Sequence, residues 1–197
     1  MKLRDEFLLF LDLETTGTNT ERDQVLEIGC VLVEAKTLDR LWQQTDYVFF
    51  SDGALDDLMS PFVKEMHEKS GLLQGLRDTK DEPRYTLEAT LCNYLAMIRN
   101  DLGRSYADVY APKWIRLAGY SPQFDREFIQ RDAPEFAALL SHRMMDVSSL
   151  RACAKAWAPQ LVNKQEAEHR ALADCIAAIE ELKVYRNVFG QTDVRLV

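Results

Sequence analysis

The chain has 197 residues, 47% of them hydrophobic, which is enough for one sizeable core and suits a single domain over 1–197. Its formal net charge of −8 excludes a broad, sequence-independent grip on duplex nucleic acid, because that affinity comes from Lys and Arg displacing counterions along many phosphates. A short nucleic-acid ligand stays open, since an acidic site that recruits cations handles a few phosphates with few basic residues.

Met1 to Glu6 is charged, and the apolar run behind it is too short for a secretory leader or a membrane span, so a soluble cytoplasmic protein with no membrane partner is expected. Cys30, Cys92, Cys153 and Cys175 lie far apart, form no CxxC and sit in apolar patterns, which points to reduced core thiols. The first element is the apolar run of "FLLFLDLETTG", followed by "QVLEIGCVLVEA" and "RLWQQTDYVFF". Turn-like residues in Gly17 to Asp23 and in Lys36 to Asp39 predict three strands joined as hairpins.

From Ser60 the pattern turns helical. "SPFVKEMHEKSG" has a Ser cap, Pro at the first helical position and a terminal Gly, and "YTLEATLCNYLAMIRNDL" spaces Leu87, Leu91, Tyr94, Leu95 and Ile98 three to four apart. A strand "WIRLAGY" leads into the helix "SPQFDREFIQRDA", opened by Ser121 and Pro122. A short strand "RMMDV", the helix "SSLRACAKAWA" and a long last helix from about Arg170 to Val188 complete the chain. Antiparallel strands first, then strands alternating with helices, predict an α/β fold with a mixed sheet flanked by helices.

Side chains alternate along a strand, so Asp12 and Glu14 share a face with Leu13 opposite. Two carboxylates so close raise each other's pKa unless a cation lies between them, and hard oxygen donors of this kind suit Mg²⁺ or Mn²⁺. An isolated D-x-E equally fits a strand end emerging into solvent. Asp125 falls in the first turn of the helix opened by Ser121, where a carboxylate is also favoured for helix stability alone. His169 and Asp174 are five apart, about 140° on a regular helix, so they do not share a helical face. His169 is expected in the preceding loop or at the helix start. Ala171, Ala177 and Ala178 around Asp174 let that helix approach the sheet closely.

DLETTG with Asp12 and Glu14, "LAGYSPQFDREF" with Asp125, and the H-x4-D of His169 and Asp174 resemble the three exonuclease motifs of the DEDD superfamily, histidine variant. Within it the chain is most similar to the oligoribonuclease family, through "ERDQVLEIGCVLVEA", "HEKSGL", "RMMDVSSLRACAKAWAP" and "HRALADCIAAIEELKVYR". The resemblance implies a ribonuclease H-like five-stranded sheet and a homodimer that removes nucleotides from the 3′ end of short single-stranded RNA. It implies two divalent cations, Mg²⁺ or Mn²⁺, held by Asp12, Glu14 and Asp174 with Asp125 completing the acidic set, and His169 as general base. It also implies a 5′-phosphate pocket at Ser121, Arg143 and Ser148, and a base-stacking role for Phe62.

The chain departs from the family pattern at three places. Thr18 stands where the family has a wedging leucine, His142 replaces a tyrosine that a dimer partner contributes, and the loop between "NKQ" and His169 is one residue longer. These leave hydrolysis intact and put the dinucleotide preference in question. Two other functions therefore stay open: a single-stranded DNA exonuclease of the proofreading kind, and an inactive oligonucleotide binder. Trp157 and the apolar end of the last helix offer a dimer contact.

Overall fold

A computed structural model describes residues 7–51, 55, 58–103, 115–162 and 168–191. Strand β1 (Phe7–Thr15) is central because its side chains are apolar on both faces for most of its length. Its odd residues, Phe7, Leu9, Leu11 and Leu13, enter a core with helices on one side, and its even residues Leu8 and Phe10 enter a second core on the other. Complete burial of one such side chain contributes about 1.5–3 kcal/mol, so the rows fix the register of the strand.

Strand β2 (Val25–Glu34) pairs antiparallel with β1, and β3 (Arg40–Tyr47) antiparallel with β2. Strand β4 (Leu117–Gly119) lies parallel to β1 and β5 (Met145–Asp146) parallel to β4, giving a mixed sheet of order β3-β2-β1-β4-β5. The expected hairpins and the five-stranded mixed sheet are thus present. β4 is shorter than its sequence suggested, with Ile115 reduced to an isolated bridge to Leu140.

Helix α1 (Pro61–Lys69) starts where Ser60 Oγ accepts from Val63 N at 3.3 Å. Gly71 at φ 76° then turns the chain into α2 (Leu72–Asp78), which the sequence reading missed because its buried face is only Leu72, Leu73 and Leu76. Helices α3 (Leu87–Asp101), α4 (Pro122–Asp132) and α5 (Pro134–Ala137) cover the odd face of β1. Helices α6 (Val147–Trp157) and α7 (Ala171–Gln191) cover the even face. α5 is likewise an addition, four residues long.

Two local expectations are corrected. Ser121 sits at φ 51° and its side chain does not cap α4; its hydroxyl instead meets Ser148 Oγ at 3.2 Å. The cysteines are all free, but only Cys30 and Cys175 are buried; Cys92 is half-buried and Cys153 is exposed on α6, because the apolar spacing around it continues past the face that meets the sheet. The longer loop expected before His169 lies outside the described residues. Among the described residues no helix is long and apolar enough to cross a membrane.

Candidate active site

The even row of β1 changes character at its end. Leu8 and Phe10 pack under α6 and α7, and the next two positions on that face are Asp12 and Glu14. The β1–β2 pairing is irregular between Glu14 and Thr15, a bulge that bends the strand as it leaves the sheet. Across the pair, Asp12 faces Gly29 and Glu14 faces Glu27. A Cβ on Gly29 would lie 2.4 Å from backbone atoms of Ala171 and Leu172, so the bare backbone of β2 is what lets the first turn of α7 settle here. Cys175 Sγ donates to the Gly29 carbonyl at 3.4 Å in the same contact.

That seating brings Asp174 to the acidic row. Its two oxygens accept from the amides of Glu168 and His169, each at 3.1 Å. His169 lies two residues before α7, at φ 53°, a conformation that costs a non-glycine residue about 1 to 3 kcal/mol. Potential ligand atoms of Glu14, His169 and Asp174 all fall within 4.8 Å of one another. Asp125, in the first turn of α4, approaches from the other face of β1, where its Oδ1 accepts from Leu13 N at 3.0 Å.

The electrostatics mark the group as one cluster. Burial, then repulsion from Asp125, Glu14, Asp174 and Glu27, pushes the Asp12 carboxyl well above its ordinary value, although part of its surface stays open. Burial and then Asp174, Glu27 and Asp125 push Glu14 up to about 8, with Arg170 acting against them. Burial lifts Asp125 to about 7 against the hydrogen bond from Leu13. Burial also raises Asp174, opposed by the Glu168 amide and His169. Crowding and burial thus favour the protonated forms of these acids when no cation is near. A set of hard oxygen donors that gathers positive charge in this way fits divalent cations, and Asp12, Glu14, Asp125 and Asp174 are the residues that could hold them.

The other sequence candidates are more scattered. Ser121 and Ser148 meet through their hydroxyls, and the amides of both donate to Asp146 Oδ1, at 3.2 and 2.9 Å. His142 and Arg143 are exposed in the segment before β5, Thr18 is exposed between β1 and β2, and Phe62 is 76% exposed near the start of α1.

Three residues near the site escaped the sequence reading. Glu27 is buried and receives Arg170 and the Ala171 amide; a lone acid inside the apolar run "VLEIGCVLV" was its signal. His67 on α1 is fully buried against Thr15 and Glu14, and its burial on a helix with few apolar residues left no mark. Asp146 organises the Ser121–Ser148 pair and caps α6.

A family model described as an exonuclease (RNase_T) matches residues 9–100. An oligoribonuclease of Mycolicibacterium paratuberculosis is 35% identical over 187 residues, 93% of this chain and 81% of that protein. A mitochondrial oligoribonuclease of Mus musculus is 31% identical over 183 residues, 91% of this chain and 72% of that protein. Among solved structures, the zinc-bound form of an E. coli exonuclease I complex with single-stranded DNA superposes with a TM-score of 0.62 at 19% identity, covering 95% of this chain and 42% of that one. That likeness concerns the fold, a mixed sheet flanked by helices.

Proposed function

We propose, from the premise that this chain belongs to the oligoribonuclease family, that Asp12, Glu14, Asp125 and Asp174 hold divalent cations and that His169 is the general base of a 3′-to-5′ exoribonuclease acting on short oligoribonucleotides. The observation that carries this is the grouping of Glu14, His169 and Asp174 within 4.8 Å of one another, with Asp12 beside Glu14 on the same face of β1 and Asp125 bonded to the Leu13 amide between them.

Divalent cations, when bound, neutralise charge on the scissile phosphodiester and make a bound water acidic. Two Mg²⁺ or Mn²⁺ ions suit the donor set. The chain's own contribution is to hold four carboxylates at fixed positions on a rigid sheet and two helices. His169, fixed by Asp174 through its amide, receives the proton of the attacking water at a ring nitrogen. The Ser121 and Ser148 hydroxyls and the Arg143 guanidinium take the 5′ phosphate, Phe62 stacks on a base, and Thr18 and His142 border the substrate. The Ser121 and Ser148 amides are already committed to Asp146, so phosphate recognition falls to their hydroxyls.

The whole site belongs to one exonuclease domain, and the cytoplasm is the compartment proposed for it. We propose a homodimer contact at the apolar cleft of about 310 Å³ between α6 and α7; the 81% exposure of Trp157 and 66% of Phe189 support it.

The test is purified protein with 5′-labelled RNA and DNA of several lengths, with Mn²⁺, Mg²⁺ or EDTA. Short RNA is expected to shorten from its 3′ end only with metal. No shortening, or none prevented by EDTA, overturns the proposal, and faster turnover of DNA would move the substrate to single-stranded DNA.

A further inference from the structure

We propose that Glu27, acting through Arg170 and the first amide of α7, is the positioning residue that holds His169 over the acidic site. The inference rests on the role of His169 proposed above. A non-glycine residue keeps a φ of 53° only when its surroundings over-determine it. Two carboxylates grip the chain here, one on each side of His169.

On the near side, Asp174 accepts from the amides of Glu168 and His169. On the far side, Glu27 Oε2 accepts from Ala171 N at 2.9 Å, while Arg170 Nη2 donates to Glu27 Oε1 at 2.7 Å and its Nε reaches both oxygens at 3.2 Å. Arg170 Nη2 also donates to the Tyr47 hydroxyl at 3.4 Å, which ties the same residue to β3. A helix cap alone would need only the Ala171 contact. The forked contact to Arg170 adds nothing to helix hydrogen bonding, yet it fixes the residue next to His169 in position and direction.

Glu27 is 2% exposed and stands on β2 directly across from Glu14. His169 and the first acids are therefore referenced to one rigid pair of strands. The tie at Glu27 uses none of the oxygens proposed to hold cations, so this half of the grip on His169 does not depend on their being bound. A misplacement of about 1 Å in such a group is enough to cost about a hundredfold in rate.

The experiment measures kcat and KM on an RNA dinucleotide with saturating Mn²⁺ for wild type, Glu27→Gln, His169→Ala and the double variant. Gln keeps the shape and one acceptor but loses the charge that draws Arg170. Glu27→Gln is expected to lower kcat about tenfold to a hundredfold with KM within about twofold, and to change kcat less than about twofold once His169 is already Ala. An unchanged kcat in Glu27→Gln, or a loss that multiplies with that of His169→Ala, overturns the positioning role. Should Glu27→Gln not fold, Arg170→Gln, which leaves the Ala171 contact, is expected to give the same pattern, with Arg170→Lys recovering only part of the rate. Wild-type kcat in His169→Ala would sink the base assignment and this inference together, whereas a slow His169→Ala beside an unaffected Glu27→Gln sinks this inference alone.

Discussion

His67 Nε2 meets the Thr15 carbonyl oxygen at 2.8 Å, joining α1 to the end of β1 across 52 positions. A carbonyl only accepts, so Nε2 carries the ring proton. Burial pushes the imidazole below its ordinary value, which favours the neutral ring, with Nδ1 as an acceptor 3.8 Å from Glu14 Oε2. His67 therefore sets the strand end by packing and one hydrogen bond rather than by charge.

Replacing His67 by Ala removes that bond and opens a cavity behind the bulge. A loss of about 2–4 kcal/mol of stability is expected from urea unfolding, with slower turnover because Glu14 is freed to shift. An unchanged urea midpoint would show that α1 does not brace β1.

The acids make the cation-free fold respond to pH against the usual direction for carboxylates. With Glu14 raised to about 8 and Asp125 to about 7, the folded chain keeps protons that the unfolded chain has released above about pH 4. Their stabilisation is complete below the unfolded value and is lost as pH rises through 7 to 8. His67, lowered on folding, acts oppositely: its contribution is present above about pH 6.5 and lost as pH falls. In EDTA, Tm is expected to fall by about 5 °C or more between about pH 6.5 and 8.5, and Mn²⁺ to remove most of that fall. Asp12→Asn should raise Tm at high pH in EDTA while lowering turnover on the order of a thousandfold. A lower Tm for that variant would mark Asp12 as structural.

Gly29→Ala tests the seating of α7. The added methyl would face backbone atoms at 2.4 Å, which cannot rotate away as a flexible side chain could. A destabilisation of about 2 kcal/mol or more is expected in chemical denaturation, with Asp174 displaced and activity lost even where the protein stays folded. Near-wild-type stability and rate would mean the helix shifts freely over β2.

Arg143→Ala separates the phosphate pocket from the chemistry. KM for a 5′-phosphorylated dinucleotide is expected to rise about tenfold with little change in kcat, and the effect should vanish for the same dinucleotide with a 5′ hydroxyl. An equal effect on both substrates would remove Arg143 from the pocket.

The large elements were legible because apolar runs and their punctuation are local. Strands β1 to β3 showed as apolar runs between turn residues, α1 and α4 by their Ser-Pro starts, and α3 by three-to-four apolar spacing. The short α2 and α5 did not, since one or two turns carry too few positions to show a period. At the candidate site, Asp12, Glu14, Asp125, His169 and Asp174 stood out by motif. Their supporting residues did not, because Glu27, His67 and Asp146 act through partners up to 144 positions away, and such pairings have no local pattern. Ser121 shows the same limit from the other side. Its sequence context is that of a helix cap, yet the neighbour at Ser148 claims its hydroxyl.

The last long helix and the residues just before it bring the acid and imidazole that β1 lacks, and the helix docks on strands formed from the earliest described part of the chain. A chain still short of that segment lacks two of the five proposed site groups, His169 and Asp174. Activity of the proposed site is therefore expected to require that this late segment be made and docked on the sheet.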